Sequence, residues 1–132
     1  MIARRDRSLV PFASAQGMVD AIWTELGLRF PPKVEPLPRQ ARTTLADASR
    51  LRIRLPARVP SWCIPHELAH AMTATHDGVS DGHGPIFMGV YARMLEHYMR
   101  IPRPVLIRSL TEAGIAADLD ARPVFVDGSM TC

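Results

Sequence analysis

The chain has 132 residues, 47% of them hydrophobic, and a formal net charge of +3 with its histidines neutral. That length suits a single globular domain, residues 1–132, with one core and no separate regulatory or targeting domain. Lys33 is the only lysine and the arginines are scattered, so the small positive excess does not indicate a nucleic-acid partner.

Near the N-terminus, Arg4 and Arg5 precede "LVPFASA", which ends in a small-x-small pattern. Its apolar stretch is only about four residues and contains Pro11, whereas a signal peptide needs roughly seven to fifteen. No stretch approaches the roughly 18 uninterrupted apolar residues of a membrane span. Two cysteines, Cys63 and Cys132, are too few for a disulfide framework, and free thiols fit a reducing compartment. The expectation is a cytoplasmic protein without a membrane segment.

In chain order, Met18, Val19, Ile22, Trp23 and Leu26 recur at helical spacing between Ser14 and Leu28, predicting a first helix with one apolar face. "RFPPKVEPLPR" carries four prolines and is expected to be an extended connector, neither helix nor central strand. "SRLRIRLP" alternates, which puts Leu51, Ile53 and Leu55 on one face of a half-buried strand and Arg50, Arg52 and Arg54 on the other. Pro65 is tolerated in a first helical turn, so a second helix should begin near Trp62 to Ile64 and run to Gly78, a good left-handed cap. A third helix is expected from Pro85, with Phe87, Val90, Tyr91, Met94, Leu95 and Tyr98 on one broad face, until Pro102 stops it. "RPVLIRSLTEAG" predicts a shorter helix ending at Gly114, and "RPVFVDG" suggests a late strand. The fold class expected from this order is α+β, with the helices packed on a small sheet containing Leu51 to Leu55.

Four of the five histidines fall between Trp62 and Phe87, and the first two, His66 and His70, flank Glu67 as H-E-x-x-H. Residues four apart on a helix differ by about 40° and about 6 Å of rise, so the two imidazoles can converge on one ion. Glu67 lies about 100° further round, beside the ion, where it can hold a water for attack. The rest of "HELAHAM" is apolar, which turns this face inward, and an unpaired buried His or Glu would be costly. These residues predict a zinc site with Glu67 as general base.

A catalytic zinc usually takes three protein ligands. His76 has the metzincin spacing, but Thr73 stands where that pattern needs a glycine for a sharp exit, and a continuing helix would point His76 about 240° away. Glu96, on the third helix, is a second candidate of the thermolysin type. His83 is the third, in the glycine-rich turn "DGHGPIF" that can reverse the chain towards the ion. Asp77 and Asp81 follow the zinc helix and could accept a hydrogen bond from a ligand imidazole, although turn-forming aspartates are commoner. Cys63, one turn before His66 and flanked by Trp62 and Ile64, reads as an inert buried thiol.

"HELAH" followed by "HGPIF" resembles the SprT-like, Spartan-type zinc metalloproteases over Trp62 to about Tyr98. The resemblance implies a zincin-like fold, a metallopeptidase activity, Zn2+ as cofactor and His83 as the third ligand beside His66 and His70. Ile86 stands where that family often carries glutamate, and its zinc-ribbon cysteines are absent, so only the protease core carries over.

The function expected is a zinc-dependent endopeptidase acting on a protein or peptide, with Glu67 taking a proton from the attacking water and returning it to the leaving amine. Tyr91, Tyr98 or His97 could stabilise the oxyanion, although both tyrosines fall on the apolar stripe. "RLRIRLP" is a possible edge strand for an extended substrate. The competing class is a non-proteolytic regulatory module in the style of the ImmA/IrrE domains, in which zinc only holds the fold together and Glu67 is dispensable.

Overall fold

The structure is a computed structural model that describes residues 9–38, 46–75 and 78–123. Strand β1 (Leu9–Pro11) runs straight into helix α1 (Phe12–Glu25), and strands β2 (Lys33–Pro36), β3 (Asp47–Ala48), β4 (Arg52–Leu55) and β5 (Arg58–Pro60) follow. Helices α2 (Cys63–Met72), α3 (Pro85–Tyr98) and α4 (Arg103–Glu112) complete the order. The described residues thus form a mixed α+β structure, and none of their helices is long and apolar enough to cross a membrane. The late strand suggested for "RPVFVDG" falls almost wholly outside them, as does Cys132.

β1 pairs antiparallel with β5, setting Val10 opposite Val59. The second sheet has the order β2-β4-β3, with β2 parallel and β3 antiparallel to β4. The proline-rich connector therefore does contain a strand, but an edge one, where a missing N–H is tolerated. Gln16 of α1 occupies its outer side, accepting from the Val34 amide at 2.7 Å and donating to the Pro32 carbonyl at 3.2 Å. β4 is the central strand, so "RLRIRLP" is not the edge on which a substrate could add.

The alternation of β4 holds only from Arg52 onwards. Ile53 and Leu55 are buried, but Leu51 is exposed and Arg50 is buried, the reverse of the sequence expectation. A bend at Arg50 and Leu51 precedes the strand and inverts the parity of these two residues. The Arg50 guanidinium lies 5.0 Å from the centre of the Trp23 ring and donates to the carbonyls of Phe30 (3.0 Å) and Arg29 (3.3 Å). Cation–aromatic contact and two carbonyls together replace the water it leaves.

Helix α1 buries Val19, Ile22 and Trp23 as the spacing predicts, and Ala15 besides, whereas Met18 is only partly buried and Leu26 lies past the helix end and is exposed. Helix α2 stops at Met72, well short of Gly78. The buried Thr73 hydroxyl donates to the Ala69 carbonyl four residues back at 2.8 Å, the same carbonyl that takes the Thr73 amide at 3.1 Å. Eight of its ten residues are buried, packed mainly against α3 and the sheets. Helix α3 begins at Pro85 as expected, and its start is held by the returning chain, since the Asp118 amide donates to the Pro85 carbonyl at 2.9 Å. A Cβ on Gly89 would sit 1.6 Å from the Asp118 carbonyl oxygen, so only glycine admits that approach.

Candidate metal centre

Helix α2 presents His66 and His70 one turn apart, and the loop after it brings His83 back to them. Gly78 (φ 85°) and Gly82 (φ 64°) take left-handed conformations in that loop, which residues with a side chain rarely adopt. Asp81 then locks the turn. Its carboxylate accepts from the amides of Ile86 (2.7 Å) and Phe87 (3.2 Å), and its carbonyl accepts from the Gly84 amide (2.9 Å). The amides of Ile86 and Phe87 are the first of α3 and have no partner within the helix. Asp81 is therefore the cap of α3 and not an acceptor for a ligand imidazole.

One ring nitrogen from each of His66, His70 and His83 lies within 4.8 Å of the other two, close enough to bind one metal ion. The Nε2 atoms of His70 and His83 are 3.0 Å apart. Zinc–nitrogen bonds of about 2.0–2.1 Å in a tetrahedral set separate ligand nitrogens by roughly 3.3 Å, so small rotations of these rings suffice. The donor set fits such an ion chemically as well. Burial, reinforced by His66 and His83, pushes the His70 pKa down from 6.5 to about 4, which leaves the ring neutral with a lone pair to donate. Among the described residues, no fourth His, Cys, Asp or Glu joins this group.

Glu67 is buried, 4% exposed, and its Oε2 lies 2.8 Å from His66 Nδ1. A proton on Nδ1 donated to that carboxylate leaves His66 Nε2 as the ligand atom, the arrangement that orients metal-binding imidazoles generally. Aromatic rings hold the others. Phe87 stacks on His70 with centroids 4.1 Å apart and planes at 25°, and Tyr91 meets His66 edge-on at 5.1 Å. The sequence puts Phe87 only on an apolar stripe; its place three residues into α3, directly after the capped turn, is what sets it against α2.

The remaining candidates separate cleanly. Glu96 pairs with Arg103, its Oε1 lying 3.0 Å from Nη2, so it ties α3 to α4 and is neither ligand nor orienting partner. His97 Nε2 and the Tyr98 hydroxyl both contact Glu25 Oε1, at 3.1 and 2.6 Å. They lie ten or more residues along α3 from Phe87, or about 15 Å of rise, which removes both from an oxyanion role. Tyr91 is the one of the three that stays at the site, with burial and the nearby Cys63 and Glu67 holding its hydroxyl protonated. Cys63 is 2% exposed, and burial pushes its thiol up to about 12, as suits an inert side chain. His76 and Asp77 lie outside the described residues. The backbone at Thr73 has φ −107°, so no left-handed exit occurs where the metzincin pattern would need one.

Compared with known proteins, the chain matches no family model, no curated protein and no solved structure.

Proposed function

We propose that this protein is a zinc-dependent endopeptidase of zincin-like architecture, similar to the SprT-like proteases, that hydrolyses peptide bonds of a protein or peptide substrate. The observation that carries the reading is a three-imidazole cluster with a buried carboxylate against it, and no fourth donor among the described residues. Structural zinc sites are generally closed by four protein ligands, whereas catalytic ones keep a position for water or substrate. His83 is exposed, which leaves the cluster reachable from solvent.

His66 Nε2, His70 Nε2 and a ring nitrogen of His83 would hold the ion. Zinc bound there supplies a Lewis acid that polarises a carbonyl and makes water a better nucleophile at neutral pH. Glu67, whose Oε2 lies against His66, would do the proton work, taking a proton from the attacking water and passing it to the leaving amine. The Tyr91 hydroxyl, kept protonated, is the candidate second donor to the developing oxyanion. An extended substrate would run along β3, the edge strand whose Ala48 shares a cavity with His70. Residence in the cytoplasm accords with the reduced, buried Cys63.

The Glu67–His66 contact also favours a second reading, a regulatory module with structural zinc, because an orienting carboxylate serves either role. Hydrolysis of casein by zinc-loaded protein separates them. The parent should cleave and Glu67→Gln, at equal zinc content, should lose at least about a hundredfold in rate. Equal turnover by the two removes Glu67 from the proton work, and no turnover by the zinc-loaded parent leaves the regulatory module as the better account.

A further inference from the structure

The chain has two tryptophans, and their indole N–H groups are placed differently. That of the buried Trp23 donates to the Arg29 carbonyl at 2.7 Å. That of Trp62 has no hydrogen-bond partner among the described residues and is not sealed from solvent, yet its ring stands beside a candidate metal ligand, edge-on to His66 with centroids 6.3 Å apart. We propose that Trp62 is a substrate-binding residue whose N–H donates to a backbone carbonyl of the peptide, within about two residues of the bond that is cut. The inference rests on the open metal centre proposed above.

Chemistry, reach and rigidity each point to that role. An indole nitrogen can only donate, so its partner must be an acceptor, and a peptide presents a carbonyl at every residue. An extended chain advances about 3.3 Å per residue, so the 6.3 Å between the two rings matches about two residues. A peptide that meets the ion at His66 thus has its next carbonyls on that side within reach of Trp62. The ring is also held still. Trp62 directly precedes α2, its carbonyl accepts from the His66 amide at 3.3 Å, and its indole is half-buried, packed against the core. A fixed ring loses little freedom on binding, and its apolar face can cover the substrate while its edge donates. Tyr91 complements it on the same ligand. Its ring meets His66 edge-on at 5.1 Å, and its hydroxyl likewise has no hydrogen-bond partner among the described residues. Two neutral donors therefore border His66, Tyr91 for the oxygen at the reacting carbon and Trp62 for one further along the chain.

The test is calorimetric binding to the zinc-loaded protein of acetohydroxamate, which engages the metal alone, and of the hydroxamates of N-acetylglycine and N-acetylglycylglycine, which add one and two peptide carbonyls. In the parent, at least one longer compound should bind about fivefold tighter than acetohydroxamate, as one net hydrogen bond gives. Trp62→Phe should remove that gain and bind acetohydroxamate unchanged. A tryptophan that merely packs would alter stability and leave the ratio alone. A second measurement is nitrogen–proton NMR of the parent, where the indole signal that exchanges faster with solvent, that of Trp62, should move with the longer compound and not with acetohydroxamate. If Trp62→Phe does not fold, that signal decides. No gain from the added peptide units, a gain that survives Trp62→Phe, or an unmoved indole signal overturns the role of Trp62 alone. Zinc-loaded protein that does not bind acetohydroxamate, or protein that takes up no zinc, overturns the open metal centre and the role of Trp62 with it.

Discussion

The Nε2 atoms of His70 and His83 stand 3.0 Å apart although thirteen residues separate them in the chain. Two imidazoles that close can share one proton or one ion, and the buried His70 ring takes a proton reluctantly. An ion is the better partner for both. His66→Ala, His70→Ala and His83→Ala should each lower zinc content from about one per chain to near zero after dialysis against a weak chelator. His76→Ala should leave it unchanged, because the chain does not take the left-handed exit at Thr73 that would return that residue. Atomic absorption on the four variants checks this. A site emptied by His76→Ala and retained in His83→Ala would reverse the ligand assignment.

Glu67 offers a second check, on affinity and not stoichiometry. Its carboxylate lies 2.8 Å from His66 Nδ1, and removing a partner of that kind typically weakens metal binding about 10–100-fold. Glu67→Ala, which leaves the His66 ring without that acceptor, should therefore still load zinc fully at excess metal, yet lose it to a chelator that the parent resists. Competition with a fluorescent zinc indicator measures the ratio, and identical affinities would mean that the carboxylate does not orient the ring.

How much of this was legible in the sequence depends on whether a local rule governed the residue. His66, Glu67 and His70 were, because helical pitch alone fixes their spacing and Pro65 marks where the helix starts. The start of α3 was legible at Pro85 for the same reason. Arg50 and Leu51 were not, because alternation says nothing of a bend that shifts parity by one residue. The end of α2 was also missed: Gly78 looked like a cap, but the helix closes at Thr73, whose hydroxyl and amide both turn back onto the Ala69 carbonyl. The partners of Glu96, His97 and Tyr98 lie on other helices, Arg103 of α4 and Glu25 of α1. Only Arg103 is near in sequence. β2 reads as a connector until its parallel pairing with β4 is seen, since a pairing across many residues leaves no local mark.

Acid should act on the centre in a defined direction. His70 has its folded pKa lowered from 6.5 to about 4, so between those values the unfolded chain binds a proton that the folded chain does not. Stability of the metal-free protein therefore falls as pH falls from about 6.5 to 4, and is unaffected by this group above that window. Urea midpoints at pH 7 and pH 4.5 should drop further for the metal-free parent than for metal-free His70→Ala. Equal drops would mean that His70 titrates normally. In the zinc-loaded protein, protons compete with the ion for the same nitrogens, so zinc release should begin on acidification as well.

The turn that carries His83 makes a last prediction about how the centre is built. Asp81 accepts from the amides of Ile86 and Phe87, and so fixes the first turn of α3 to the segment that ends at His83. Losing such a cap costs about 1 kcal/mol of stability, or roughly 4 °C in melting temperature for a domain of this size. Asp81→Ala should show that loss, and zinc affinity should fall with it, because His83 is two residues away and the capped turn sets its ring against His70. Asp81→Asn retains an acceptor oxygen and should recover most of both. Gly84→Ala attacks the same turn from the other side, since a Cβ there would lie 2.7 Å from Asp81 Oδ2 and push the carboxylate off the amides. Calorimetric melting of the metal-free proteins together with zinc titration distinguishes the two effects. If Asp81→Ala melts with the parent and binds zinc as tightly, the cap neither stabilises α3 nor positions His83, and the ring must be held by its stacking neighbours alone.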